Sequence, residues 1–425
     1  MYDAIVVGAR CAGAAAAMLL ARRGHRVLLV DRATFPSEIP HGHFIHKDGP
    51  RLLNRWGLLD KIASLDSPPI RTWLMDLGDF PLVARDLIVD GVALGYAPRR
   101  KALDQVLVDA AVEAGVELWS GFVVDDFVSD GDRLTGIRGR AQRGGAMVTE
   151  RGRLIIGADG RNSRLARAVQ APVYEATPAL ACWYFSYWSD VPHRDGVEIY
   201  GRTRNAIFAH PTSDGLFAVF VGWPIEEFHR VRSDIEGNFL VALRQVPELA
   251  ERVRSGRRAE RFYGTSDVPN FFRKPYGPGW ALVGDAGCHK DPYLALGICD
   301  AFRDSELLAE AIDEGLTGRR PLDEALADYE RRRNAITRPA YHENIRFAQF
   351  CLPPPEVYQL RAALRGNQAD TNRFAMAREG MIPPEEFFNP ENLQRIIMQA
   401  QTAAGTSRTS ARYPNLRDRE RHHTE

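Results

Sequence analysis

The sequence has few cysteines and no excess of either charge. Its 425 residues include five cysteines, an odd number, scattered without CxxC or Cys/His spacing. This pattern excludes a disulfide scaffold and a zinc site and favours a reduced, cytoplasmic protein. Lysine plus arginine and aspartate plus glutamate both number 55, so the net charge is zero and binding to nucleic acid is disfavoured.

Long apolar runs are also missing. The longest, residues 4–21, is interrupted by Arg10 and follows Tyr2 and Asp3, where a secretory leader would have basic residues. It therefore predicts neither a signal peptide nor a membrane span. Hydrophobic residues make up 45% and charged residues 26% of the chain, which is the usage of a folded globular protein.

Residues 3–31 have the pattern of a β-α-β unit. The apolar run 4–7 shows no polar alternation, as expected for a parallel strand covered on both faces. A helical stretch rich in alanine and leucine ends at Gly24, and a second apolar run leads to Asp31. The pattern predicts an α/β fold with a doubly wound, Rossmann-like domain.

The rest of the chain predicts further parts. Aromatic, strand-like segments separated by turn residues fill much of 176–261, and helical patterns dominate the C-terminal part. We therefore predict a discontinuous first domain, an inserted antiparallel or mixed sheet that binds substrate, a helical region and a disordered tail. The predicted bounds are 1–72, 97–175 and 262–345 for the first domain, 73–96 and 176–261 for the inserted sheet, 346–404 for the helical region and 405–425 for the tail.

The turn after the first strand carries a variant dinucleotide fingerprint, GARCAG, from Gly8 to Gly13. Backbone N–H groups at a helix N-terminus bind a pyrophosphate, and small residues let it approach closely. Arg10 stands where the fingerprint has its second glycine. Asp31, at the end of the next strand, is placed to accept hydrogen bonds from ribose hydroxyls, and Arg32 follows it.

Two later segments extend this pattern. One reads IGADGRNSR from Ile156, and the other reads LVGDA from Leu282, with Pro292 and Gly297 beyond it. Together with GARCAG and an Arg-x-x-Leu at Arg100, they resemble, in order, the motifs of group A FAD-dependent monooxygenases, the aromatic hydroxylase family. The pairing of GARCAG with GDAGCHKDP is similar to one subgroup, whose scaffold geranylgeranyl reductases and flavin halogenases share.

The resemblance implies FAD as the cofactor, with NADH or NADPH as a transient electron donor. Asp285 would accept hydrogen bonds from the ribitol chain, and the N–H groups that follow Pro292 would face the flavin pyrimidine. Ala295 and Cys299 depart from the glycine and asparagine usual in the family. The implied FAD contacts are Gly8, Arg10, Cys11, Ala12, Gly13, Asp31, Arg32, His43, Arg100, Val124, Asp159, Gly160, Gly284, Asp285, Pro292, Ala295, Leu296, Gly297 and Ile298.

The family's reaction is implied as well. A C4a-hydroperoxyflavin, formed with molecular oxygen, would hydroxylate a hydrophobic small molecule, aromatic or polyketide-like, in a site that excludes water. We expect the enzyme to be a monomer or a homodimer. No metal is expected, because the three histidines within 41–46 have no nearby carboxylate or cysteine pair in the sequence.

Residues for substrate and catalysis follow from strand alternation and from the histidines. Alternation along 181–188 places three rings on one face, where they can cover an aromatic substrate, while the other face packs on its own domain. The candidate substrate contacts are Trp183, Phe185, Tyr187 and His210, and the candidate catalytic residues are His46, His210 and Pro292.

Three alternatives share these motifs. Alkene reduction, as in geranylgeranyl reductases, uses the same FAD motifs. Halogenation is disfavoured because the sequence has Trp223-Pro224-Ile225 in place of a WxWxIP motif and no lysine between residues 62 and 100. A binding protein that keeps the fold without flavin is opposed by the intact Asp31 and Asp285.

Overall fold

The computed structural model describes residues 1–142 and 144–410, with side chains up to Thr402. The predicted tail of residues 405–425 falls outside the described side chains, and 411–425 fall outside the description altogether. Within the described residues, no helix has the length and apolar character needed to cross a membrane.

Strands and helices are mixed in the N-terminal part of the chain, strands dominate the middle, and the described C-terminal part from α9 onwards is helical. The strands are β1 (Tyr2–Val7), β2 (Val27–Asp31), β3 (Thr72–Asp76), β4 (Pro81–Ala84), β5 (Ile88–Val89), β6 (Val92–Ala93), β7 (Glu117–Ser120), β8 (Phe122–Asp130), β9 (Arg133–Ala141), β10 (Val148–Gly157), β11 (Val173–Thr177), β12 (Ala181–Ser189), β13 (Gly196–Arg202), β14 (Asn205–Pro211), β15 (Phe217–Pro224), β16 (Arg257–Arg258), β17 (Tyr263–Thr265), β18 (Asn270–Arg273), β19 (Tyr276–Gly277), β20 (Trp280–Leu282) and β21 (Cys288–His289). The helices are α1 (Cys11–Ala21), α2 (Gly49–Arg55), α3 (Leu59–Ala63), α4 (Arg100–Glu113), α5 (Arg164–Ala168), α6 (Phe228–Ser233), α7 (Ile235–Leu243), α8 (Pro247–Ser255), α9 (Gly297–Leu316), α10 (Leu322–Ala348), α11 (Pro355–Leu364), α12 (Gln368–Arg378), α13 (Pro384–Phe387) and α14 (Pro390–Ser410).

The first sheet has the strand order β19-β20-β10-β1-β2-β7. Strands β20, β10, β1, β2 and β7 run parallel, and β19 pairs antiparallel to β20 at the edge. The carboxyl ends of β1, β2, β10 and β20 therefore meet at one edge of the sheet, where an α/β fold places its ligand. The GARCAG, IGADGRNSR and LVGDA motifs lie at the ends of β1, β10 and β20, and Asp31 ends β2.

The two faces of this sheet are covered differently. Ala4 and Val6 of β1 pack against helices α1, α4 and α9, while Ile5 and Val7 pack against β8, β9 and α5. Alternating burial on both faces explains the unbroken apolar run of β1. Helix α1 is rich in alanine and buried on most sides, which lets it lie close between the sheet and α9.

The second sheet has the order β16-β12-β15-β14-β13-β3-β4, with β17 paired to β12. Its central strands are antiparallel, and β3 joins β13 in parallel, so the inserted sheet is mixed. Helices α6 to α8 cover one face through a core that includes Tyr184, Trp188 and Phe239. The other face carries Trp183, Phe185 and Tyr187 and is turned towards the first domain.

The C-terminal helices close the molecule over β3 and β4. Phe374 of α12 and Phe387 of α13 share an apolar core with Trp73 and Leu82. A small sheet, β11-β18-β21, connects the two larger ones. This arrangement brings residues near 379 against the loop at 41–47, although they are more than 300 positions apart in the chain.

Candidate active site

The turn at Gly8 to Gly13 brings β1, α1 and β10 into close backbone contact. Gly8 has φ +105°, and a Cβ there would lie 2.5 Å from the carbonyl oxygen of Ala158. A Cβ on Gly13 would lie 1.7 Å from the carbonyl oxygen of Gly8. No side chain fits at either position, so both glycines are required by this packing.

The N-terminus of α1 has free donors. Arg10 is the N-cap residue, and no side chain caps the helix. The backbone N–H groups of Cys11, Ala12 and Gly13 donate to no acceptor among the described residues. Free N–H groups and the helix dipole together suit a phosphate anion.

Asp31, at the end of β2, fixes the chain on both sides of the fingerprint. Its two carboxylate oxygens accept hydrogen bonds from the backbone N–H groups of Ala9 and Ala33, both at 2.7 Å. The side chain is almost fully buried. Each oxygen retains a second lone pair for a ribose hydroxyl. Arg32 is exposed and forms no hydrogen bond or ion pair with any described side chain.

Asp104 explains how Arg10 is tolerated in place of glycine. The Arg10 side chain turns across to α4, where Nη1 lies 2.5 Å from Oδ2 of Asp104. Arg100 binds the same carboxylate through Nε at 3.2 Å and Nη2 at 2.9 Å, and the Cys11 thiol donates to it at 3.4 Å. Burial raises the pKa of Cys11 to about 12, so the thiol stays protonated beside Asp104. Asp104 is fully buried and is not among the residues that the family motifs indicate.

Arg100, Asp285 and His41 face one another across the cleft at the sheet edge. Nη1 of Arg100 hydrogen-bonds no described residue, and neither does the Asp285 carboxylate. Asp285 is near enough to affect the charge of both Arg100 and His41. His41 is reached by solvent at the surface of the cleft. Its pKa is nevertheless lowered to about 4, first because the surrounding cleft removes much of its hydration, and second because of the positive charge of Arg100. Sequence reasoning missed His41, although it lies in the histidine-rich run.

The second motif lies at the end of β10. Oδ2 of Asp159 accepts the backbone N–H of Arg164 at 2.6 Å, whereas its buried Oδ1 has no partner among the described residues. Burial raises the pKa of Asp159. Gly160 follows with φ +77°. Val124, in β8, packs in the core with Phe122.

The third motif begins α9 in an open position. Pro292 and Gly297 are exposed, and a Cβ added to Gly297 would meet nothing within 4 Å. The backbone N–H groups of Leu296, Gly297 and Ile298 donate to no acceptor among the described residues. Gly284 lies against α1, where an added Cβ would be 2.8 Å from the Cβ of Ala12. The first and third motifs thus form one continuous cleft.

Ala295 holds a left-handed conformation, with φ 52° and ψ 31°. A residue with a Cβ is strained there, by roughly 1–2 kcal/mol. Ala295→Gly removes this strain but adds unfolded-state entropy, so we expect a gain of about 0.5–1 kcal/mol in the free energy of unfolding. Urea titration of the purified protein measures it, with Ala309→Gly in the middle of α9 as a destabilising control. A less stable Ala295→Gly variant would contradict the strain.

The cleft fits FAD. The close contact at Gly8 and Gly13 leaves room for a phosphate at the free N–H groups of α1. Nη1 of Arg100 supplies a positive charge beside them. The free carboxylate of Asp285 can accept hydrogen bonds from hydroxyl groups. The free N–H groups at the start of α9 are suited to a polar ring edge that carries negative charge. These donors and acceptors lie at the edge of a parallel sheet, where nucleotides bind.

Two neutral histidines lie where the second sheet meets the loop 41–47. Nδ1 of His43 is 3.1 Å from the carbonyl oxygen of Ala97, and its Nε2 is 3.0 Å from the Tyr187 hydroxyl. A carbonyl only accepts, so Nδ1 carries the proton and Nε2 accepts from Tyr187. Nδ1 of His210 likewise donates to the carbonyl oxygen of Pro211, at 3.1 Å. Burial lowers the pKa of His43 well below its usual range and that of His210 to about 4.

Aromatic rings surround these histidines. Phe44 stacks on His210 at 5.5 Å and on His46 at 4.6 Å, and Phe220 stacks on the other side of His210 at 5.6 Å. Phe185 stacks on Phe220 at 4.8 Å. The three imidazoles, Phe185 and Tyr187 are buried, and the polar atoms of the cluster are the imidazole nitrogens and the Tyr187 hydroxyl.

Tyr187 and Arg99 border the same cluster. The Arg99 guanidinium lies over the Tyr187 ring at 4.2 Å and is paired with Glu260 at 2.7 Å and Glu38 at 3.4 Å. Its positive charge is therefore compensated by two carboxylates. Arg99 is not among the residues that sequence reasoning selected.

Trp183 binds the loop that precedes α9. Its Nε1 donates to Oδ1 of Asp291 at 3.1 Å, and the same oxygen accepts the backbone N–H of Tyr293 at 3.0 Å. Oδ2 of Asp291 is buried without a partner among the described residues, and burial raises the pKa of Asp291 to about 7. Trp183 thus links the second sheet to the residue next to Pro292.

Asp291 makes stability fall as the pH rises from about 4 to about 7. Its folded-state pKa is raised, so the unfolded chain ionises first and the folded state loses stability until both are ionised. Asp291→Asn keeps an acceptor for Trp183 and removes this loss. We expect the gain in unfolding free energy to be roughly 2–3 kcal/mol larger at pH 8 than at pH 5. Urea titrations at pH 5 and pH 8 measure the free energy of unfolding, with the exposed Asp60→Asn as the control. An Asp291→Asn effect of equal size at the two pH values would show that Asp291 is not a buried carboxyl that titrates.

Known proteins match this sequence and this fold. A family model described as "FAD binding domain" matches residues 1–228. A tryptophan 2-halogenase from Chondromyces crocatus is 24% identical over 77% of this chain, which spans 64% of that protein. A kynurenine 3-monooxygenase from Salinispora arenicola is 27% identical over 78% of this chain and 76% of its own length. The solved structure of a myxobacterial chondrochloren halogenase superposes with a TM-score of 0.74 at 21% identity, covering 94% of this chain and 97% of that one.

These likenesses confirm the α/β fold predicted from the motifs, and with it the resemblance to FAD enzymes. The family match includes β1, β2, the GARCAG turn, Arg100 and Asp159, so it covers the first two motifs of the cleft. Since it spans more than half of the 425 residues, the chain belongs to the FAD binding domain family, on a scaffold common to FAD-dependent monooxygenases, halogenases and reductases.

Proposed function

We propose that this protein is a FAD-dependent monooxygenase that hydroxylates an uncharged, hydrophobic aromatic molecule with molecular oxygen. The observation that carries the proposal is the buried aromatic cluster around His43, His46 and His210, which adjoins the cleft that fits FAD. Oxygen activation needs such a site, because water destroys reactive oxygen species before they meet the substrate.

The chain's own residues hold the cofactor and shield the site. Gly8, the α1 donors and Arg100 would bind the diphosphate, Asp285 the ribitol hydroxyls, and the N–H groups from Leu296 to Ile298 the flavin ring. When bound, FAD supplies electron transfer to oxygen. Donors aimed at the ring edge stabilise the negative charge that reduction places there. Pro292, exposed at the mouth of α9, would border the reacting position.

The polar atoms of the cluster favour a substrate that donates hydrogen bonds. His210 offers Nε2 as an acceptor, since its Nδ1 proton is already bound to Pro211. Arg99, the nearest cation, is already paired with Glu260 and Glu38. A phenol or enol therefore fits better than a carboxylate. Trp183, Phe185 and Tyr187 would supply the apolar walls of this substrate site.

The remaining parts of the proposal follow the family resemblance. NADH or NADPH would reduce the flavin, and the enzyme would act in the cytoplasm as a monomer or homodimer. We assign FAD to residues 1–72, 97–175 and 262–345, and the substrate to 73–96 and 176–261. The helices from 346 to 404 would close the site from the C-terminal side.

Halogenation is the second candidate, because halogenases are among the similar proteins. The lysines argue against it. Lys47 donates to the carbonyl of Arg378, and Lys61, Lys274 and Lys290 each bind a carboxylate. The fifth lysine, Lys101, is exposed on α4. No lysine amine of the described chain is free beside the aromatic cluster.

Product mass separates the three flavin chemistries. The FAD-loaded protein is incubated with NADH or NADPH, bromide, 18O2 and a panel of phenols, anthranilates and unsaturated prenyl compounds. We expect a phenolic product that has gained one 18O atom. A brominated product would support halogenation, and a product that has gained two hydrogens would support reduction.

A flavin-free function has its own readout. Protein purified without colour that does not take up added FAD would contradict the whole proposal. FAD uptake with hydroxylation absent in every member of the panel would instead contradict the aromatic substrate class.

A further inference from the structure

His46 and Glu379 form a buried carboxylate–imidazole pair between the two ends of the chain. Nδ1 of His46 is 2.7 Å from Oε2 of Glu379, and the side chains are 6% and 10% exposed. The other carboxylate oxygen of Glu379 accepts from the indole Nε1 of Trp73 at 3.1 Å. A carboxylate held from both sides in this way fixes the ring orientation of the imidazole.

One atom of the pair has no partner. Nε2 of His46 is fully buried and hydrogen-bonds none of the described residues. Leaving a buried polar atom unpaired costs about 1–3 kcal/mol, so such an atom calls for an explanation. The backbone of His46 is bound to α9, because its carbonyl oxygen accepts a hydrogen bond from the thiol of Cys299, in the first turn of that helix, at 3.0 Å. The unpaired nitrogen thus belongs to a residue fastened to the helix that begins at the FAD cleft.

His46 differs from the other two imidazoles of the aromatic cluster, His43 and His210. Nε2 of His43 is already bound to Tyr187, and His210 has no carboxylate partner. Their pKa values are lowered by burial, so neither gains a proton readily near neutral pH. Of these three histidines, His46 is the one whose ring contacts a carboxylate that can stabilise an imidazolium. Of the candidate catalytic histidines, His46 is therefore the one equipped to act as a base.

The charges around the pair keep Glu379 ionised. Burial alone would raise the pKa of Glu379, but the hydrogen bond from His46, the charge that His46 carries when it is protonated, and the charges of Lys47 and Arg378 lower it to about 2. Burial raises the pKa of Cys299, on the α9 side, to about 12, so that group stays neutral. His210 lies on the far side of the Phe44 ring. The carboxylate therefore remains negative over the whole range in which an imidazole titrates.

We propose that Glu379 is a positioning residue that fixes the Nδ1–H of His46, and that Nε2 of His46 takes the hydroxyl proton of the phenolic substrate. The substrate O–H bond breaks, its electron pair stays on the phenol oxygen, and a new Nε2–H bond forms on an imidazolium paired with Glu379. The proton returns to the product oxygen on release. This inference rests on the proposed hydroxylation, because a phenolate ring is the more electron-rich acceptor of oxygen.

The protonation state of His46 is measured without any substrate. The FAD-loaded, 15N-histidine-labelled full chain is followed by long-range 1H–15N NMR across pH, with His46 identified by loss of its signals in His46→Gln. We expect Nδ1 to remain protonated while Nε2 titrates. Glu379→Gln should lower the midpoint of Nε2 protonation by at least one pH unit, about a tenfold weaker base. Glu175→Gln, which breaks the exposed His342–Glu175 contact of 2.8 Å, should leave His46 unchanged.

The proton acceptor role is measured with 4-nitrophenol, whose anion has its own absorbance band. We expect 4-nitrophenol bound to the oxidised, FAD-loaded protein to ionise at lower pH than in water. Glu379→Gln should reduce the ratio of ionised to neutral 4-nitrophenol at a given pH by about tenfold, and His46→Gln should abolish the shift. Glu175→Gln should match the wild type.

The outcomes separate this inference from the proposed function. The inference is overturned, while hydroxylation stands, if the neutral His46 of the wild type carries its proton on Nε2 and not on Nδ1. It is likewise overturned if Glu379→Gln changes neither the titration of His46 nor the ionisation of 4-nitrophenol. Absence of 4-nitrophenol binding together with absence of any hydroxylated product overturns both. If Glu379→Gln does not fold, the wild-type NMR titration and the His46→Gln phenol spectra still decide the question.

Discussion

Asp104→Asn is expected to lower the free energy of unfolding by roughly 3–5 kcal/mol, the usual cost of removing one partner from a buried ion pair. Asp104 is fully buried and accepts from the guanidinium groups of Arg100 and Arg10 and from the Cys11 thiol. The amide keeps the volume but loses the charge, and its NH2 group opposes a guanidinium. The midpoint of thermal unfolding should fall by about 3–6 °C, because the unfolding entropy grows with chain length.

FAD affinity should fall with stability, because the same carboxylate aims both arginines at the cleft. Asp109→Asn is the matched control: Asp109 lies five residues further along α4, is exposed and, among the described residues, hydrogen-bonds Gln105 alone. It should change stability by less than about 0.5 kcal/mol.

A double variant separates packing from charge. Asp104→Leu with Arg100→Met replaces the buried pair by apolar groups and should recover most of the stability, since such exchanges are often neutral. It should still bind FAD weakly, because the positive charge beside the diphosphate is gone. An Asp104→Asn protein that unfolds at the wild-type temperature would show that this pair does not support the fold. A double variant with normal FAD affinity would show that the pair does not orient the site.

The parts of the fold that could be predicted from the sequence are those encoded locally. The β-α-β unit at 3–31 and helix α4 follow from apolar periodicity and glycine stops within short windows. The faces of β12 follow from alternation, with Trp183 on one side and Tyr184 on the other.

Three helices in the middle of the chain were not predicted, because their helical signal is short and lies between strand-like segments. Helices α6 to α8 lie within the segment interpreted as a sheet, although Leu249 and Val253 stand one helical turn apart in α8. The strongly β-forming residues on either side of them dominated the interpretation. Helix α12 lies within the predicted helical region 346–404, although its apolar residues do not form a single stripe along the helix.

The site divides in the same way. Asp104 could have been found, since it stands four residues after Arg100 and shares its helix face. Asp291 precedes Pro292 and could have been weighed with it. Glu379 could not, because its contact with His46 joins positions 333 apart and depends on how the C-terminal helices fold back over β3. Long-range pairs of this kind leave no mark in a single sequence.

Asp285→Ala is expected to abolish FAD retention while leaving the fold intact. The carboxylate accepts from no described residue and lies partly exposed in the cleft beside Arg100 and His41, so the apoprotein loses no internal hydrogen bond. On the proposed assignment it accepts from two hydroxyls of the cofactor. Each hydrogen bond to a charged group contributes about 1.5–3 kcal/mol, so the dissociation constant should rise roughly 100-fold to 10,000-fold.

The measurement is a titration of apoprotein with FAD, followed by quenching of flavin fluorescence, alongside urea unfolding without the cofactor. Asp132→Ala, in the exposed turn between β8 and β9, is the control and should bind FAD normally. Unchanged affinity in Asp285→Ala would remove the third motif from the FAD site. If Asp285→Ala lowers the unfolding free energy of the apoprotein by as much as it lowers the free energy of FAD binding, Asp285 supports the fold. The free carboxylate would then no longer identify the cleft as the FAD site.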